Sequence, residues 1–425
     1  MPDLSMGQGR GEPYRRFLAR LQSVRGQGVS LGLDRVYGAL DRLGAPHRKV
    51  PALHIAGTNG KGSAAAIAES ILRKGDMRTG LFTSPHLMRF TERIRIDGVE
   101  VEGDRLAALD EAVAGTAVPL TYFEVATVLA FLAFAEAGVE VAVLETGLGG
   151  RLDATSTCLP LACAITSIAL DHEAILGDSL EQIAFEKAGI AKPSVPLFLG
   201  PLPSDAERRV VEVARSVGAP VRRLGIDFPP APAEPALPGK HQLSNAAVAV
   251  ALCREAARKL GRTLEEGVVS AGLAEVRWPG RMERISSDVL LDCAHNIEGC
   301  RALAAALPEA EPRILVTSIV RDKNAAAMLG VLGPHFDHVI VTRSESERAA
   351  EPAALARLVH GTRAGAGKVE CIEDPFAALA AGRAAVARSA AGLVVVAGSI
   401  FIVGQLRARL LDLTRGEAEA SDPMP

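Results

Sequence analysis

Short runs of β-branched and aliphatic residues alternate along this chain with longer Ala-, Leu- and Glu-rich stretches of helical periodicity. Consecutive strands that are joined through a helix lie parallel, because a parallel pair needs a long crossover connection. The alternation therefore predicts an α/β fold built on mostly parallel sheets. In the first part of the chain, the predicted strands are residues 52–56, 79–83, 139–145, 162–167 and 196–199, and the predicted helices are 62–74, 123–137 and 180–188.

The same alternation restarts after Trp278-Pro279-Gly280-Arg281, where we expect a domain boundary. Residues 1–278 are predicted to form an N-terminal domain around a P-loop-type, mostly parallel sheet. Residues 279–425 are predicted to form a smaller, Rossmann-like α/β C-terminal domain. The predicted strands of this second part are residues 289–292, 313–317, 338–342, 369–372 and 393–397.

Two local patterns refine the first domain. Residues 93–101 contain Asp97-Gly98 and predict a β-hairpin, because Asp-Gly suits a two-residue primed turn. Residues 228–239 are rich in proline and are interpreted as a loop inside this domain. A helix that is capped near Ser244 and runs through Leu260 is predicted to follow.

Composition excludes several classes of protein. The 425 residues include 47 basic and 50 acidic side chains, a net charge of -3 that does not suit a nucleic-acid partner. The longest apolar stretch, residues 125–135, is short of the roughly 20 residues that cross a bilayer. No membrane partner is expected. The six cysteines include no C-x-x-C pair, and residues 1–10 lack an apolar signal region, so we expect a cytoplasmic protein.

The strongest local motif is a glycine-rich turn between a predicted strand and a predicted helix. It reads G-T-N-G-K-G-S over residues 57–63. Backbone amides of such a turn and of the following helix N-terminus bind phosphate oxygens. Lys61 would add positive charge for the β- and γ-phosphates, and Ser63 a hydroxyl for magnesium. The match to G-x-x-x-x-G-K-[ST] is imperfect, since Gly62 separates Lys61 from Ser63, and a functionless turn is the alternative.

Polar residues also follow other predicted strands, at the edge where parallel α/β sheets bind ligands. Glu145 ends an apolar strand and precedes three glycines, so its carboxylate could reach a magnesium ion or instead pair with Arg151. Asp171-His172 could add a second metal ligand. Ser84-Pro85-His86 is compatible with a plain turn as well as with a site.

Two further segments have competing interpretations. Glu186-Lys187 lies in a predicted helix and by default forms a surface ion pair. Asp292 and His295 follow a strand of the second part. They belong either to a turn in which Asn296 caps the next helix, or to a polar set that faces bound phosphates. The residues alone do not separate these two.

Taken together, the motifs resemble those of the folylpolyglutamate synthase/dihydrofolate synthase family, within the Mur ligase superfamily. The resemblance spans about residues 31–404. Its motifs are G-T-N-G-K-G-S (57–63), S-P-H-L (84–87), T-Y-F-E (121–124), E-T-G-L-G-G-R-L-D-A-T (145–155), L-D-H (170–172), E-K-A-G-I (186–190), H-Q-L-S-N-A (241–246), P-G-R (279–281) and D-C-A-H-N (292–296). The family's D-G-A-H-N-P appears here with Cys293 and Ile297, and its later D-K-D ends here in Asn324.

The resemblance implies a role for each matched position. Lys61, His172 and Lys187 would be catalytic, and Lys187 would be carbamylated. The implied ATP-binding residues are Thr58, Asn59, Gly60, Lys61, Gly62, Ser63, Asn245, Arg281, Asp292 and His295. The implied metal ligands are Ser63, Ser84, Glu145, His172 and carbamylated Lys187. The implied pteroate-binding residues are Thr121, Tyr122, Phe123, Glu124, Leu152, Asp153 and Ala154.

The resemblance further implies an ATP-dependent ligase that joins L-glutamate to dihydropteroate and to reduced folates through an acyl phosphate. ATP and Mg²⁺ are the expected cofactors, with two magnesium ions and with K⁺ as a further ion. A monomer is expected. The alternatives are a monofunctional folylpolyglutamate synthase, a Mur-type ligase for another carboxylate, a P-loop nucleotide switch, and a non-catalytic folate-binding protein. The absence of an N-K-x-D guanine motif disfavours the switch.

Overall fold

The computed structural model describes residues 11–25, 32–359, 368–415 and 422. Residues 1–10 and the polar tail after Arg415, apart from Asp422, lie outside them. The chain divides into two compact units. Unit 1 comprises the described residues up to Ala236 together with Leu243–Val276, and unit 2 comprises Leu237–Gln242 and the described residues from Arg277 onward.

An eight-stranded sheet forms the centre of unit 1. Its strands are β1 Pro51–Ala56, β2 Thr79–Phe82, β3 Ile94–Ile96, β4 Val99–Glu100, β5 Val141–Glu145, β6 Leu159–Ile165, β7 Leu197–Leu199 and β8 Val221–Arg223. Their order across the sheet is β4-β3-β2-β5-β1-β6-β7-β8. Strand β3 pairs antiparallel with both β2 and β4, the latter as the predicted hairpin, and the other pairs of this sheet are parallel. The mostly parallel sheet agrees with the sequence prediction.

Helices cover the faces of this sheet. They are α1 Glu12–Arg25, α2 Asp34–Arg42, α3 Lys61–Lys74, α4 Gly103–Gly115, α5 Tyr122–Glu136, α6 Glu173–Leu176, α7 Leu180–Ala188, α8 Ser204–Ser216, α9 His241–Lys259 and α10 Glu266–Glu275. Helix α5 is buried along most of its length, which explains its apolar composition without a membrane. Helix α10 packs closely on α3 at Gly272. A Cβ added to this glycine would lie only 2.6 Å from the Ile71 Cα.

A second sheet forms the centre of unit 2. Its strands are β9 Glu283–Ser286, β10 Val289–Leu291, β11 Arg313–Thr317, β12 His338–Val341, β13 Lys368–Cys371 and β14 Leu393–Ala397, and its helices are α11 Ile297–Ala306, α12 Ala325–Leu332, α13 Pro352–Ala356, α14 Pro375–Val386 and α15 Ile400–Arg415. The strand order is β13-β12-β11-β14-β10-β9. All pairs are parallel except β9 with β10. The predicted α/β character of this part is confirmed.

One predicted helix boundary is wrong. Helix α9 begins at His241 and not near Ser244, which lies inside its first turn. The reason is Gly239, which ends the proline-rich segment. Its φ of 107° changes the direction of the backbone, and the helix begins two residues later. The Gln242 amide then donates to the Gly239 carbonyl at 2.9 Å. Among the described helices, none is sufficiently long and apolar to cross a bilayer.

Candidate active site

The glycine-rich segment joins the carboxyl end of β1 to the N-terminus of α3, as predicted. Its backbone is held by the segment that follows β6. The Thr58 amide donates to the Ser167 carbonyl at 2.8 Å, and the Asn59 amide donates to the Ser167 hydroxyl at 2.9 Å. The Thr166 hydroxyl donates to the Asn59 carbonyl at 2.7 Å. These bonds hold the loop in shape at the helix N-terminus, where anions bind.

Two positions of this loop require glycine. Gly57 and Gly60 have φ values of 154° and 84°, which other residues rarely adopt. A Cβ on Gly57 would overlap the Thr166 hydroxyl, and a Cβ on Gly60 would overlap the Asn245 side chain. Asn245, from α9, therefore lies directly against the loop. Ser63 is buried in the first turn of α3, two residues beyond Lys61.

Two lysines approach the same loop. Lys61 Nζ donates to the carbonyl oxygens of Gly57 and Thr58 at 3.0 and 3.3 Å. Lys187 Nζ, from α7, donates to the Gly57 carbonyl at 2.9 Å. Lys187 is only 4% exposed. Burial, reinforced by the charge of Lys61, lowers the pKa of Lys187 to about 7. This cluster of positive groups suits a polyanion.

The default interpretation of Glu186-Lys187 as a surface ion pair is wrong. Glu186 pairs instead with Arg151, whose Nη2 lies 2.8 Å from Glu186 Oε1. The Arg151 amide also donates to the Glu186 carbonyl at 2.8 Å. Helical geometry separates the two neighbours, since consecutive residues point about 100° apart. Lys187 therefore faces inward while Glu186 faces outward.

Glu145 lies beside the loop. It is in register with Ile55 of β1, so both strands end at the same edge of the sheet. Its side chain is buried, and its Oε2 accepts a hydrogen bond of 3.1 Å from the Ser84 amide. The structure thus brings Ser84 and Glu145 together at the edge that holds residues 57–63, which we name the phosphate loop. Arg151, the alternative partner for Glu145, pairs with Glu186.

His172 lies in the segment after β6, at the same edge of the sheet, but unlike Glu145 its side chain is exposed. Its side chain is 44% exposed, its backbone lies in the left-handed region at φ 53°, and its amide donates to Asp171 Oδ1 at 2.9 Å. Among the described residues, no three His, Cys, Asp or Glu side chains are arranged to hold a metal ion. A metal here would take few protein ligands and several oxygens from water and phosphate, which is how Mg²⁺ is usually bound.

The three glycines after Glu145 lie in a second loop, residues 146–150, which we name the glycine loop. Asp153 anchors it. Asp153 Oδ2 accepts hydrogen bonds of 2.9 Å from the amides of Gly147 and Leu148. Its Oδ1 accepts from the amide and hydroxyl of Thr155 at 3.0 and 2.5 Å. Burial raises the pKa of Asp153. Asp153 therefore shapes the loop, while its neighbours Leu152 and Ala154 flank it, half-buried and buried respectively.

The T-Y-F-E segment begins α5, and two of its residues cap this helix. Thr121 and Glu124 form a capping box: the Glu124 amide donates to Thr121 Oγ1 at 3.4 Å, and Glu124 Oε2 accepts from the Thr121 amide at 2.7 Å. Glu124 also pairs with Arg35 at 2.7 Å. Tyr122 is buried. Phe123 is half-buried and covers Gly147, where an added Cβ would lie 2.6 Å from its ring. Phe123 is therefore the more accessible aromatic face.

Arg93 was not singled out from the sequence, yet its guanidinium is fully buried beside these residues. Arg93 Nε donates to His86 Nδ1 at 2.8 Å. Its guanidinium lies 5.7 Å from the Phe90 ring centroid and 5.3 Å from that of Tyr122. Burial lowers the pKa of Arg93. It ties the segment after Ser84 to the start of α5, a role that sequence spacing does not reveal.

In unit 2, the D-C-A-H-N segment follows β10. Asp292 Oδ2 accepts from the Met282 amide at 3.0 Å, and Oδ1 accepts from the Ala294 amide at 2.9 Å. Burial raises the pKa of Asp292, opposed by the charge of Arg281. His295 Nδ1 lies 2.9 Å from the Cys293 carbonyl. Asp292 and Arg281 are thus neighbours within unit 2, with His295 three residues further on.

The alternatives for this segment are partly resolved. Asn296 Oδ1 accepts from the Gly299 amide at 2.8 Å, so Asn296 caps α11 as the turn interpretation predicts. The family departures are accommodated locally. Cys293 is buried, and its amide donates to the Gly280 carbonyl at 2.9 Å. Asn324 caps α12 by accepting from the Ala327 amide at 3.1 Å.

Comparison with known proteins bears on this geometry. Residues 280–400 match the family "Mur ligase, glutamate ligase domain". A "dihydrofolate synthase/folylpolyglutamate synthase" of Mycobacterium tuberculosis is 38% identical and covers 81% of each chain. A "probable bifunctional folylpolyglutamate synthase/dihydropteroate synthase" of Halobacterium salinarum is 36% identical over 92% of this chain, which spans about half (51%) of that relative's length.

Solved structures agree. The structure "E. coli FolC in complex with DHPP and ADP" matches with a TM-score of 0.85 and 30% identity, over 96% of this chain and all (100%) of that one. The likeness covers both units. The sequence resemblance and these matches therefore give one conclusion: the chain belongs to the folylpolyglutamate synthase/dihydrofolate synthase family of Mur ligases.

Proposed function

We propose that this protein is an ATP-dependent ligase that adds L-glutamate to dihydropteroate and to reduced folates. One observation carries the proposal: Glu145 ends the strand next to β1, beside a phosphate-type loop that Lys61 and Lys187 also contact. An acid next to a polyanion site, at the carboxyl edge of a parallel sheet, suits metal-assisted phosphoryl transfer. The Mycobacterium tuberculosis relative carries a name for both activities.

The reaction needs an activated carboxylate, because a carboxylate does not condense with an amine at neutral pH. A carboxylate oxygen of the substrate attacks the γ-phosphorus of ATP, giving an acyl phosphate and ADP. The amino group of glutamate then attacks the acyl carbon, a tetrahedral intermediate forms, and inorganic phosphate leaves. The amide product results, and the amine releases one proton to solvent.

The chain's own residues position the phosphates. The amides of Gly57–Ser63 and the N-terminus of α3 face the anionic oxygens, and Lys61 exchanges its contacts to the loop carbonyls for the β- and γ-phosphates. Thr166 and Ser167 keep the loop rigid, so the donors are preorganised. Asn245 on α9 contributes an amide beside Gly60.

Magnesium fits the oxygen donors at this edge of the sheet. Glu145 is the one buried carboxylate at this edge that accepts from Ser84, and Ser63, Ser84 and His172 would complete the protein ligands. Two ions are proposed, and K⁺ is a further candidate. Bound magnesium would neutralise the phosphoryl and carboxylate charges. The residues themselves orient ATP and keep water away from the acyl phosphate.

Lys187 is proposed to be carbamylated. Its pKa of about 7 leaves a large neutral fraction at physiological pH, and a neutral amine can attack CO₂. The N–C bond forms, one proton is released, and a cation becomes an anion that can face a metal. Burial beside Lys61 favours this change, because the carbamate would turn a repulsive pair into an attractive one.

The proposed substrate contacts come from the glycine loop and from the start of α5. Phe123 offers a flat, half-buried face for a pterin ring, and Leu152 and Ala154 flank it. Thr121, Tyr122, Glu124 and Asp153 hold these elements in place. In unit 2, Arg281, Asp292 and His295 are the proposed ATP contacts.

We also propose a role for each domain and a cellular setting. Residues 1–278 are assigned to ATP and pteroate binding, and residues 279–425 form the C-terminal ligase domain that binds glutamate and closes on ATP. A monomer in the cytoplasm is proposed. Support comes from the cysteines: all six are free, and five of them are buried, which suits a reducing compartment.

The test uses purified protein with ATP, magnesium and L-glutamate. One reaction contains dihydropteroate and another contains tetrahydrofolate, and mass spectrometry detects the glutamylated products. Release of inorganic phosphate that depends strictly on both the pteroate and glutamate is expected in each. Product only from tetrahydrofolate would make the enzyme monofunctional. Phosphate release without either acceptor, or none under any condition, would refute the ligase proposal.

A further inference from the structure

Unit 1 contains a cavity of about 560 Å³ at the edge of its sheet opposite the phosphate loop. Pro51, the first residue of β1, and Leu159, the first residue of β6, line it, whereas the phosphate loop follows the last residue of β1. Its polar lining residues are Tyr37, His47, Arg48, Ser156, Thr157 and Lys192. None of these residues has a part in the ligase reaction proposed above.

The charge of this cavity is unbalanced. Arg48 and Lys192 both line it, and among the described residues neither forms an ion pair. Asp41 is the carboxylate near Tyr37 and His47. Its effect on the pKa of each of these two groups is opposite to that of Arg48. Lys192 lies near enough to the buried His54 to add to the lowering of its pKa by burial, and near enough to Cys158 to oppose the rise in pKa that burial causes there. Two cations in one concave site, without a paired carboxylate, attract an anion.

A buried ring nitrogen of His47, at this cavity, also lacks a hydrogen-bond partner among the described residues. His47 is 1% exposed, and its Nδ1 has no hydrogen-bond partner among the described residues. Its ring lies 6.0 Å from the Tyr37 ring and 6.1 Å from that of Phe131. An unpaired buried polar atom is costly, and this one belongs to a residue of the cavity wall. The rest of the wall is apolar, with Leu159 51% exposed and Val195 beside it.

One short segment connects the cavity to the glycine loop of the active site. Cys158 lines the cavity, and the 3₁₀ turn Ala154–Thr157 precedes it. The other end of the segment is Asp153, which accepts from the amides of Gly147 and Leu148. Between them, the Ser156 hydroxyl donates to the Gly150 carbonyl at 2.5 Å. A ligand that orders this segment would therefore also order the glycine loop.

We propose that this cavity is a second ligand site, for a small organic anion that carries one phosphate or carboxylate group on an apolar body. Arg48 and Lys192 bind the anionic group, and Tyr37, Leu159 and Val195 contact the body. Occupancy restrains residues 153–158 and, through Asp153 and Ser156, the glycine loop. The site goes beyond the proposed ligase reaction and does not depend on it.

The test measures binding of two probes to the full-length protein, phenyl phosphate and phenylacetate, by calorimetry with saturating ADP present. The ADP occupies the phosphate loop. The variants Arg48→Gln and Lys192→Gln remove one cavity charge each, and both side chains reach solvent, so the fold should survive. Arg222→Gln removes an equivalent charge from exposed β8 and serves as the matched control. Lys61→Gln reports any binding at the phosphate loop.

Binding of at least one probe is expected, with a Kd at least about tenfold higher in each cavity variant and unchanged in Arg222→Gln and Lys61→Gln. Hydrogen exchange at the amides of Gly147 and Leu148 should slow about threefold or more with the probe, and not in Lys192→Gln. Which probe binds identifies phosphate or carboxylate as the anion. Binding of neither probe, loss of binding only in Lys61→Gln, or binding without protection of these amides would overturn the proposal.

Discussion

Lys187 Nζ donates a 2.9 Å hydrogen bond to the carbonyl oxygen of Gly57, so a lysine from α7 is built into the wall of the phosphate loop. The side chain is buried, and its pKa is lowered to about 7. A structural lysine would normally reach solvent with its ammonium group. A buried lysine whose amine is half neutral at physiological pH is instead suited to chemistry.

We expect Lys187 to take up CO₂. In protein equilibrated with ¹³C-bicarbonate near pH 7.5, NMR should show a carbamate carbonyl signal that is absent in Lys187→Met. Ligase activity of that variant should fall by about tenfold or more, because a metal ligand would be lost. The matched control is Lys74→Met, on the half-exposed end of α3, which should keep both signal and activity. A carbamate signal that persists in Lys187→Met would exclude this residue.

Glu145→Gln should weaken the binding of magnesium without unfolding the protein. The amide oxygen can still accept from the Ser84 amide, so the local structure should persist. Removal of the charge should raise the magnesium concentration for half-maximal activity by about tenfold or more. Glu140→Gln removes an equivalent charge from a half-buried position just before β5 and is the control. Equal magnesium curves for wild type and Glu145→Gln would remove Glu145 from the metal site.

Gly57→Ala and Gly60→Ala should each abolish measurable ADP binding at concentrations that saturate the wild type. A Cβ at either position overlaps a neighbouring side chain, and the positive φ adds strain of about 1–3 kcal/mol. Calorimetric titration with ADP is the readout. Gly38→Ala in α2, where a Cβ meets nothing within 4 Å, should bind normally and gain about 0.4–1 kcal/mol of stability. Normal ADP binding by Gly60→Ala would show that the loop tolerates a different shape.

His54 should make the protein acid-labile. Complete burial, aided by Lys192, lowers the pKa of His54 from 6.5 to about 3. Between these values the unfolded chain binds a proton that the folded protein does not, so stability falls as pH decreases from about 6.5 towards 3 and is unaffected above 6.5. At about 1.36 kcal/mol per pKa unit, the full loss is of the order of 5 kcal/mol.

Urea unfolding at pH 7.5 and at pH 4.5 measures this effect. His54→Gln should lose less stability than the wild type between the two pH values, although it is less stable at pH 7.5 because the hydrogen bond to Thr155 is altered. The exposed His335→Gln should behave like the wild type. An identical pH dependence in His54→Gln and wild type would mean that other groups cause the acid lability.

Phe123→Leu should raise the KM for dihydropteroate by up to about tenfold and change kcat little, since it removes an aromatic face worth about 0.5–1.5 kcal/mol. Tyr122→Phe should leave this KM nearly unchanged, because the Tyr122 ring is buried against Arg93. Steady-state kinetics with dihydropteroate as the varied substrate decide the matter. A larger effect of Tyr122→Phe would reverse the roles of the two rings.

Much of the fold was predictable because buried parallel strands are nearly continuous apolar runs. Strands β11 and β14 and helix α7 begin and end at the predicted residues. The start of α9 was not predicted correctly. The conformation of Gly239 decided it, whereas Ser244 is only a residue type that is frequent at helix N-caps. The phosphate loop was predictable because strand, glycines and helix are contiguous. Its support by Thr166 and Ser167 was not, because those residues are more than a hundred positions away.

By itself, the sequence determined the local elements and the motif set, since periodicity, glycine placement and cap residues act over a few neighbouring positions. Only the tertiary structure decided which polar groups are buried, and with what partners. Glu186 pairs with Arg151, Arg93 is enclosed by rings, and Lys187 turns inward. The physical reason is that burial and charge proximity depend on segments far apart in the chain, and these set the pKa values on which the chemistry rests.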